Sequence, residues 1–187
     1  MALEKSIKDK LVSVYKVTED RCEAYNLIYN EKILPLIREK FLAHLVSVVE
    51  DLIFEKIKEK DHKAPRYRIT IWKNNPKNGK ATLRLWENGA IIAYNPQNDY
   101  HDLRIFVGHE LAHLLCRYKI LEGDPTENNA NLFTYFAITG KNTFYKDKAP
   151  GLVYSGGEFE ILSSIQAACP IMEENQVSCR LGEHPVS

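Results

Sequence analysis

No stretch of this chain approaches the roughly 18 consecutive apolar residues that a membrane-spanning helix requires. The first residues, MALEKSIKDKLVSV, place Glu4, Lys5, Lys8, Asp9 and Lys10 where a signal peptide needs an unbroken apolar run, so a soluble, cytoplasmic protein without a membrane partner is expected. An excess of one charge is missing too. With 25 Lys plus Arg against 25 Asp plus Glu the formal charge is zero, which removes the sequence-independent phosphate attraction of most nucleic-acid binders, and no direct nucleic-acid partner is expected. Cysteine is sparse: Cys22, Cys116, Cys169 and Cys179 lie far apart with no C-x-x-C pair, which excludes a zinc knuckle or redox motif and makes free thiols the expectation. Low-complexity tracts are absent, so the information lies in local patterns.

What is present suffices for one core. In 187 residues, 44% are apolar, enough for a single domain spanning 1–187 and short for two. The pattern divides it into a helical part over 1–62, a sheet and two helices over 63–140, and a loop-rich part over 141–187. Apolar residues recur at helical spacing from Leu3 to Val17 and from Thr18 to about Lys60, most clearly Ile33, Leu34, Ile37, Phe41, Leu45, Val48, Val49, Leu52, Ile53 and Ile57. Pro35 interrupts this pattern, and because proline lacks a backbone donor and clashes with the preceding turn, a break is expected near 30–34. These helices read as packing against the core, the other reading being a partner or dimer surface.

The period then changes to two. Tyr67, Ile69 and Ile71 alternate with Arg66, Arg68 and Thr70, the turn chemistry of 74–79 follows, and Ala81 to Trp86 makes a second strand. A further turn at Glu87-Asn88-Gly89 leads to Ala90-Ile91-Ile92-Ala93-Tyr94, so a small antiparallel meander is expected. Trp72 and Trp86 with Lys73, Lys77, Lys80 and Arg84 could be an aromatic and basic surface, but in a neutral chain strand aromatics are expected to pack on their neighbours.

A helix next carries Leu103, Val107, Leu111, Leu114, Leu115 and Tyr118, with Asn98 or Asp99 as its cap. After Glu122-Gly123, Asp124-Pro125-Thr126-Glu127 reads as the start of another helix, with Asp124 as N-cap, and Ala130, Phe133, Phe136 and Ala137 continue it to Gly140. One more helix is expected from Phe159 to Ala168, ended by Pro170, before an exposed tail.

The chemistry lies in His109-Glu110-Leu111-Ala112-His113. Residues four apart share a helix face, so His109 and His113 can direct two imidazoles at one point while Glu110 lies beside it. The His and Glu frequencies of this chain give about 0.02 chance occurrences of H-E-x-x-H. Two such ligands and a third protein ligand leave one position of a zinc ion open for water, whose pKa the metal lowers; Glu110 can take that proton and pass it to a leaving amine. The third ligand decides the class. The positions where a metzincin carries Gly and a third His are Cys116 and Lys119, which excludes that class. Glu127, 14 residues after His113, is the best-placed acid, although the same residue can close a capping box on the Asp124 N–H, and spacing leaves both roles open.

The segment Ala90-Ile91-Ile92-Ala93-Tyr94-Asn95-Pro96, then Asp102 through His109-Glu110-Leu111-Ala112-His113 to Leu115, and Glu127-Asn128-Asn129-Ala130-Asn131-Leu132-Phe133, resembles the ImmA/IrrE family of zinc metallopeptidases. The resemblance covers about Ala90 to Ala137. It implies a zincin-like α+β fold, Zn²⁺ as cofactor, His109, His113 and Glu127 as metal ligands and Glu110 as catalytic base. It also implies limited proteolysis of a regulatory protein, typically a repressor. The chain departs from the family after Phe136, where Ile138-Thr139-Gly140 replaces a leucine-rich segment, and its N-terminal helices contain no recognisable helix-turn-helix pair.

Other residues carry less. Cys116 could approach the metal but reads as a small buried hydrophobe. Tyr94, Tyr145 and Tyr154 are possible oxyanion donors, with nothing to choose among them. His44, in the apolar helix, and His62, in a charged loop, read as structural or solvent-facing, and His101 and His184 lack ligand spacing. The strand Ala90 to Tyr94 is expected to offer an edge to an extended peptide. The resulting expectation is an α+β zinc metalloendopeptidase: N-terminal helices, a small antiparallel sheet, and two helices that meet at one zinc. The alternative is a non-catalytic zinc-binding or regulator-binding module.

Overall fold

The structure, a computed structural model, describes residues 2–37, 42–73, 81–94 and 100–139. The expected cap at Asn98 or Asp99, the stop at Gly140, the helix over 159–168 and the tail, with Cys169, Cys179, Tyr145, Tyr154 and His184, lie outside the described residues. Among those described, the order is α1 (Lys5–Tyr15), α2 (Glu19–Ile28), α3 (Leu42–Lys58), β1 (Arg68–Lys73), β2 (Ala81–Trp86), β3 (Gly89–Tyr94), α4 (Tyr100–Arg117) and α5 (Glu127–Thr139). The fold class is α+β, with five helices and one small sheet among these residues.

Local chemistry sets the helix ends. Lys16 adopts a left-handed conformation (φ 51°) that stops α1, and Thr18 caps α2 by accepting the Arg21 N–H at 3.2 Å. Glu19 and Asp20 in the first turn of α2 add favourable charge at its positive end. The expected break near Pro35 takes the form of a change in winding: α2 passes into a π turn at Tyr29–Ile33 and then a 3-10 turn at Leu34–Leu36, with Pro35 in its first turn. The apolar stripes of α1, α2 and α3 bury Leu11, Tyr15, Cys22, Tyr25, Leu45, Val49 and Ile53. These join Val107, Leu111, Leu114, Leu115, Phe133 and Ala137 of α4 and α5 in one continuous core, so the N-terminal helices pack as core elements.

The sheet corrects the meander. Its order is β1-β3-β2, with β3 antiparallel to β2 but parallel to β1 (Ile69 opposite Ala90, Ile71 opposite Ile92). The sheet is therefore mixed, and β1 and β2 do not form a hairpin with each other. Burial explains this order. β3 is the most apolar strand, and Ala90, Ile92, Ala93 and Tyr94 are all buried, which suits a central position, while β2 exposes Arg84, Leu85 and Trp86 and takes an edge. The central position also overturns β3 as a docking edge, because both its sides are hydrogen-bonded. At the outer edge of β1, the Ile69 N–H donates to Oε1 of Glu50 on α3, at 2.5 Å.

The sheet face away from the core carries Arg68 and Trp72 from β1 and Arg84 and Trp86 from β2, by the alternation of the strands. Trp72 and Trp86 are 50% and 42% exposed, so their expected packing is only partial. The Trp86 ring does cover Gly89, where a Cβ would come within 2.7 Å of it. Beneath the opposite face, α4 packs on β2, β3, α3 and most extensively α5, and α5 also meets α1 and α2. Both helices are thus central. No helix among the described residues is long and apolar enough to cross a membrane.

Candidate metal centre

Because α4 is nearly surrounded, the face bearing His109 and His113 is held on both sides by buried residues, Ile105 to Val107 before it and Leu114 to Cys116 after it. The two imidazoles meet edge to face, with ring centroids 4.7 Å apart and Nε2 atoms 3.1 Å apart. Glu127 brings its carboxylate against the same point: Oε2 is 3.0 Å from His109 Nε2 and Oε1 is 3.4 Å from His113 Nε2. The structure therefore brings His109, His113 and Glu127 together, a trio that could hold a metal ion.

The three side chains fit a small tetrahedral cation. With ligand bonds of about 2.0–2.1 Å, neighbouring corners of a tetrahedron are about 3.3 Å apart, and the observed separations of 3.0, 3.1 and 3.4 Å bracket that value. The donor set, two imidazoles and a carboxylate, is of the kind such ions take. His109 is also held in a suitable tautomer. Its Nδ1 lies 3.0 Å from Oδ1 of Asn131, and a proton on Nδ1 leaves the Nε2 lone pair facing His113 and Glu127.

The placement of Glu127 corrects the expected helix start. α5 begins at Glu127, two residues later than Asp124-Pro125 suggested. Thr126 is its cap: Oγ1 accepts the Asn129 N–H at 3.3 Å, and the Thr126 carbonyl accepts the Ala130 N–H at 3.0 Å. The Asp124 carbonyl is engaged by the Thr126 N–H at 2.7 Å and by Asn129 Nδ2 at 2.8 Å. Glu127 is thus the first helical residue, and its carboxylate turns to the histidines, so the capping-box role falls. Burial alone would push its carboxyl up, but hydrogen bonds from the His109 and His113 rings in their protonated form outweigh that and hold it well below the usual carboxylate range.

Glu110 sits beside this trio without joining it. Desolvation raises its pKa, partly opposed by His109 and His113 and reinforced by Glu127, so its carboxyl lies within electrostatic reach of all three. Cys116 is fully buried with Sγ 3.3 Å from the Tyr25 hydroxyl, as a small core residue, and does not belong to the cluster. Tyr94 is 9% exposed, on the core face of β3. His62 is exposed, and among the described residues no second group of three metal-ligating side chains is found. The residues that sequence reasoning left without a role are Thr126, Asn129 and Asn131. Asn131 had a signal, since it stands four residues after Glu127 and so on the same helix face.

Comparison of the chain with protein-family models, with curated proteins and with solved structures finds no match.

Proposed function

We propose that the protein is a zinc-dependent metallopeptidase, with His109, His113 and Glu127 holding the metal and Glu110 acting as the general base. The observation that carries this reading is the convergence of two imidazole nitrogens and one carboxylate to separations of 3.0–3.4 Å, with a desolvated acid beside them that is not a ligand. A structural zinc site is normally closed by four protein ligands, whereas three leave a position open. When bound, zinc supplies a Lewis acid that polarises a carbonyl and activates water at neutral pH.

The chain's own residues do the rest. His109 and His113 orient from one rigid helix, and Glu127 closes the set from the next. Glu110 takes a proton from the attacking water on its carboxylate and returns it to the leaving amine. Burial, by raising its affinity for a proton, suits it to that exchange. With β3 enclosed, the outer side of β2, unpaired among the described residues, is the edge we assign to an extended peptide. The similarity of 90–137 to the ImmA/IrrE family favours a regulatory protein, such as a repressor, as substrate.

The test pairs metal content with cleavage of a mixed peptide library read by mass spectrometry. The parent is expected to bind about one zinc and to cut the library. His109→Ala and His113→Ala should lose most of the metal, while Glu110→Gln should keep it and lose cleavage. Unchanged zinc in both histidine variants refutes the metal site. Zinc bound by a parent that cuts nothing supports instead a non-catalytic metal-binding module.

A further inference from the structure

The third ligand stands at the least secure position of its helix. The first four N–H groups of a helix have no intrahelical partner, so a side chain on the first residue depends on what anchors that turn. Here the anchor comes from the N-terminal third of the chain. Arg21 on α2 donates from Nη1 to Asn129 Oδ1 at 3.2 Å, and Asn129, 1% exposed, donates from Nδ2 to the Asp124 carbonyl at 2.8 Å and from its backbone N–H to Thr126 Oγ1 at 3.3 Å. One amide thereby ties α2, the α4–α5 loop and the first turn of α5. Its orientation is fixed, because a flipped amide would set NH₂ against the guanidinium and oxygen against the carbonyl.

The loop is shaped to accept this arrangement. Gly123 has φ 90°, in the left-handed region, and a Cβ there would lie 2.8 Å from Asn129 Nδ2 and 2.9 Å from Arg21 Cζ. One turn further along α2, the Tyr25 hydroxyl donates to the Glu122 carbonyl at 2.7 Å. Two residues of helix correspond to about 200° of rotation, so Asn129 is gripped on the side of α5 opposite Glu127. The back of the turn is clamped while its front carries the ligand.

We infer that Arg21 is a positioning residue of the metal centre: acting through Asn129, it fixes the first turn of α5 and so the place of the Glu127 carboxylate relative to His109 and His113. This rests on the proposed metal site. It makes the N-terminal helices a part of that site's construction.

The experiment measures zinc affinity by chelator competition and the visible absorption of the cobalt-substituted protein, in the full chain, with metal-free stability followed in parallel. Arg21→Met and Asn129→Ala should each weaken zinc binding about tenfold, the lower end for supporting residues around a metal, and alter the cobalt spectrum. Arg21→Lys, which keeps a donor, should restore most of the affinity. In a Glu127→Ala background, Arg21→Met should change affinity no further, since no third ligand remains to be placed. A parent-like affinity in Arg21→Met, or an equal loss with and without Glu127, overturns the inference and leaves Arg21 as a stabilising contact only. Should Arg21→Met fail to fold, Asn129→Asp decides. That variant keeps an acceptor for Arg21 and loses the donor to Asp124, and zinc affinity equal to the parent's overturns the inference. Equal zinc affinity in the parent and His109→Ala is a different result, which refutes the metal site itself and the role of Arg21 with it.

Discussion

Asn131 Oδ1 accepts from His109 Nδ1 at 3.0 Å, and the same helix turn presents Glu127 to His109 Nε2 at 3.0 Å. One imidazole therefore meets residues four apart on α5 at its two nitrogens, and the Asn131 contact couples its tautomer to the packing of α4 on α5. A metal-ligating histidine commonly donates its second N–H to such a partner.

Removing that partner should weaken the metal without dismantling the fold. Asn131→Leu is expected to lower zinc affinity about 10–100-fold, whereas Asn131→Asp, which retains an acceptor, should stay near the parent. Chelator competition measures both, and a leucine variant with unchanged affinity would show that the His109 ring needs no such orientation.

Glu127 and Thr126 are adjacent but should fail differently. Thr126→Ala removes the cap and is expected to cost about 0.5–2 kcal/mol of metal-free stability. Glu127→Ala removes a ligand and should lose most zinc affinity, with a smaller effect on the metal-free protein. Denaturant unfolding of both apo variants, beside their zinc titrations, checks the contrast; a reversed pattern would restore the capping role to Glu127.

Metal removal supplies a third test. A ligand that binds only the folded state stabilises by RT ln(1 + [L]/Kd), about 2.7 kcal/mol at 100 times Kd. Exhaustive chelation should therefore lower the melting temperature reversibly, and the shift on adding zinc should vanish in His109→Ala. An identical shift in that variant would locate the bound zinc elsewhere.

Alkaline pH should destabilise the protein through Cys22. Its thiol is fully buried, and desolvation, with a contribution from Glu23, pushes its pKa up to about 11. The unfolded thiol ionises near 8.5, so above that pH the unfolded state holds fewer protons than the folded one and stability falls as pH rises towards 11. By pH 10 the loss from this group is on the order of 1–2 kcal/mol. Denaturant midpoints at pH 8 and pH 10 under reducing conditions should diverge in the parent and by a smaller margin in Cys22→Ala, which is less stable at pH 8 but lacks this thiol; the buried Cys116, whose pKa desolvation also raises, keeps part of the divergence. Tyr25, Tyr29 and Tyr67, all shifted upward by burial, add a further decline above pH 10.

Several elements follow from short-range chemistry and were legible residue by residue. The helical period located α3, α4 and α5, Pro35 located the break after α2, and Asn88-Gly89 located the turn between β2 and β3. The pair His109 and His113 was legible for the same reason, since four residues on a helix fix a common face whatever surrounds it.

Features that depend on distant partners were set by the packing of the folded chain. Strand order followed from which strand could be buried on both sides, and the alternation within β1 and β2 says nothing about which neighbour each takes. Glu127 had two local roles of similar merit, and the choice fell to the histidines of α4, brought within 3.4 Å by the packing of two helices. Arg21 and Asn129 are separated by 108 positions. No periodicity or spacing rule connects residues so far apart, because their contact exists only once the core that carries both has closed.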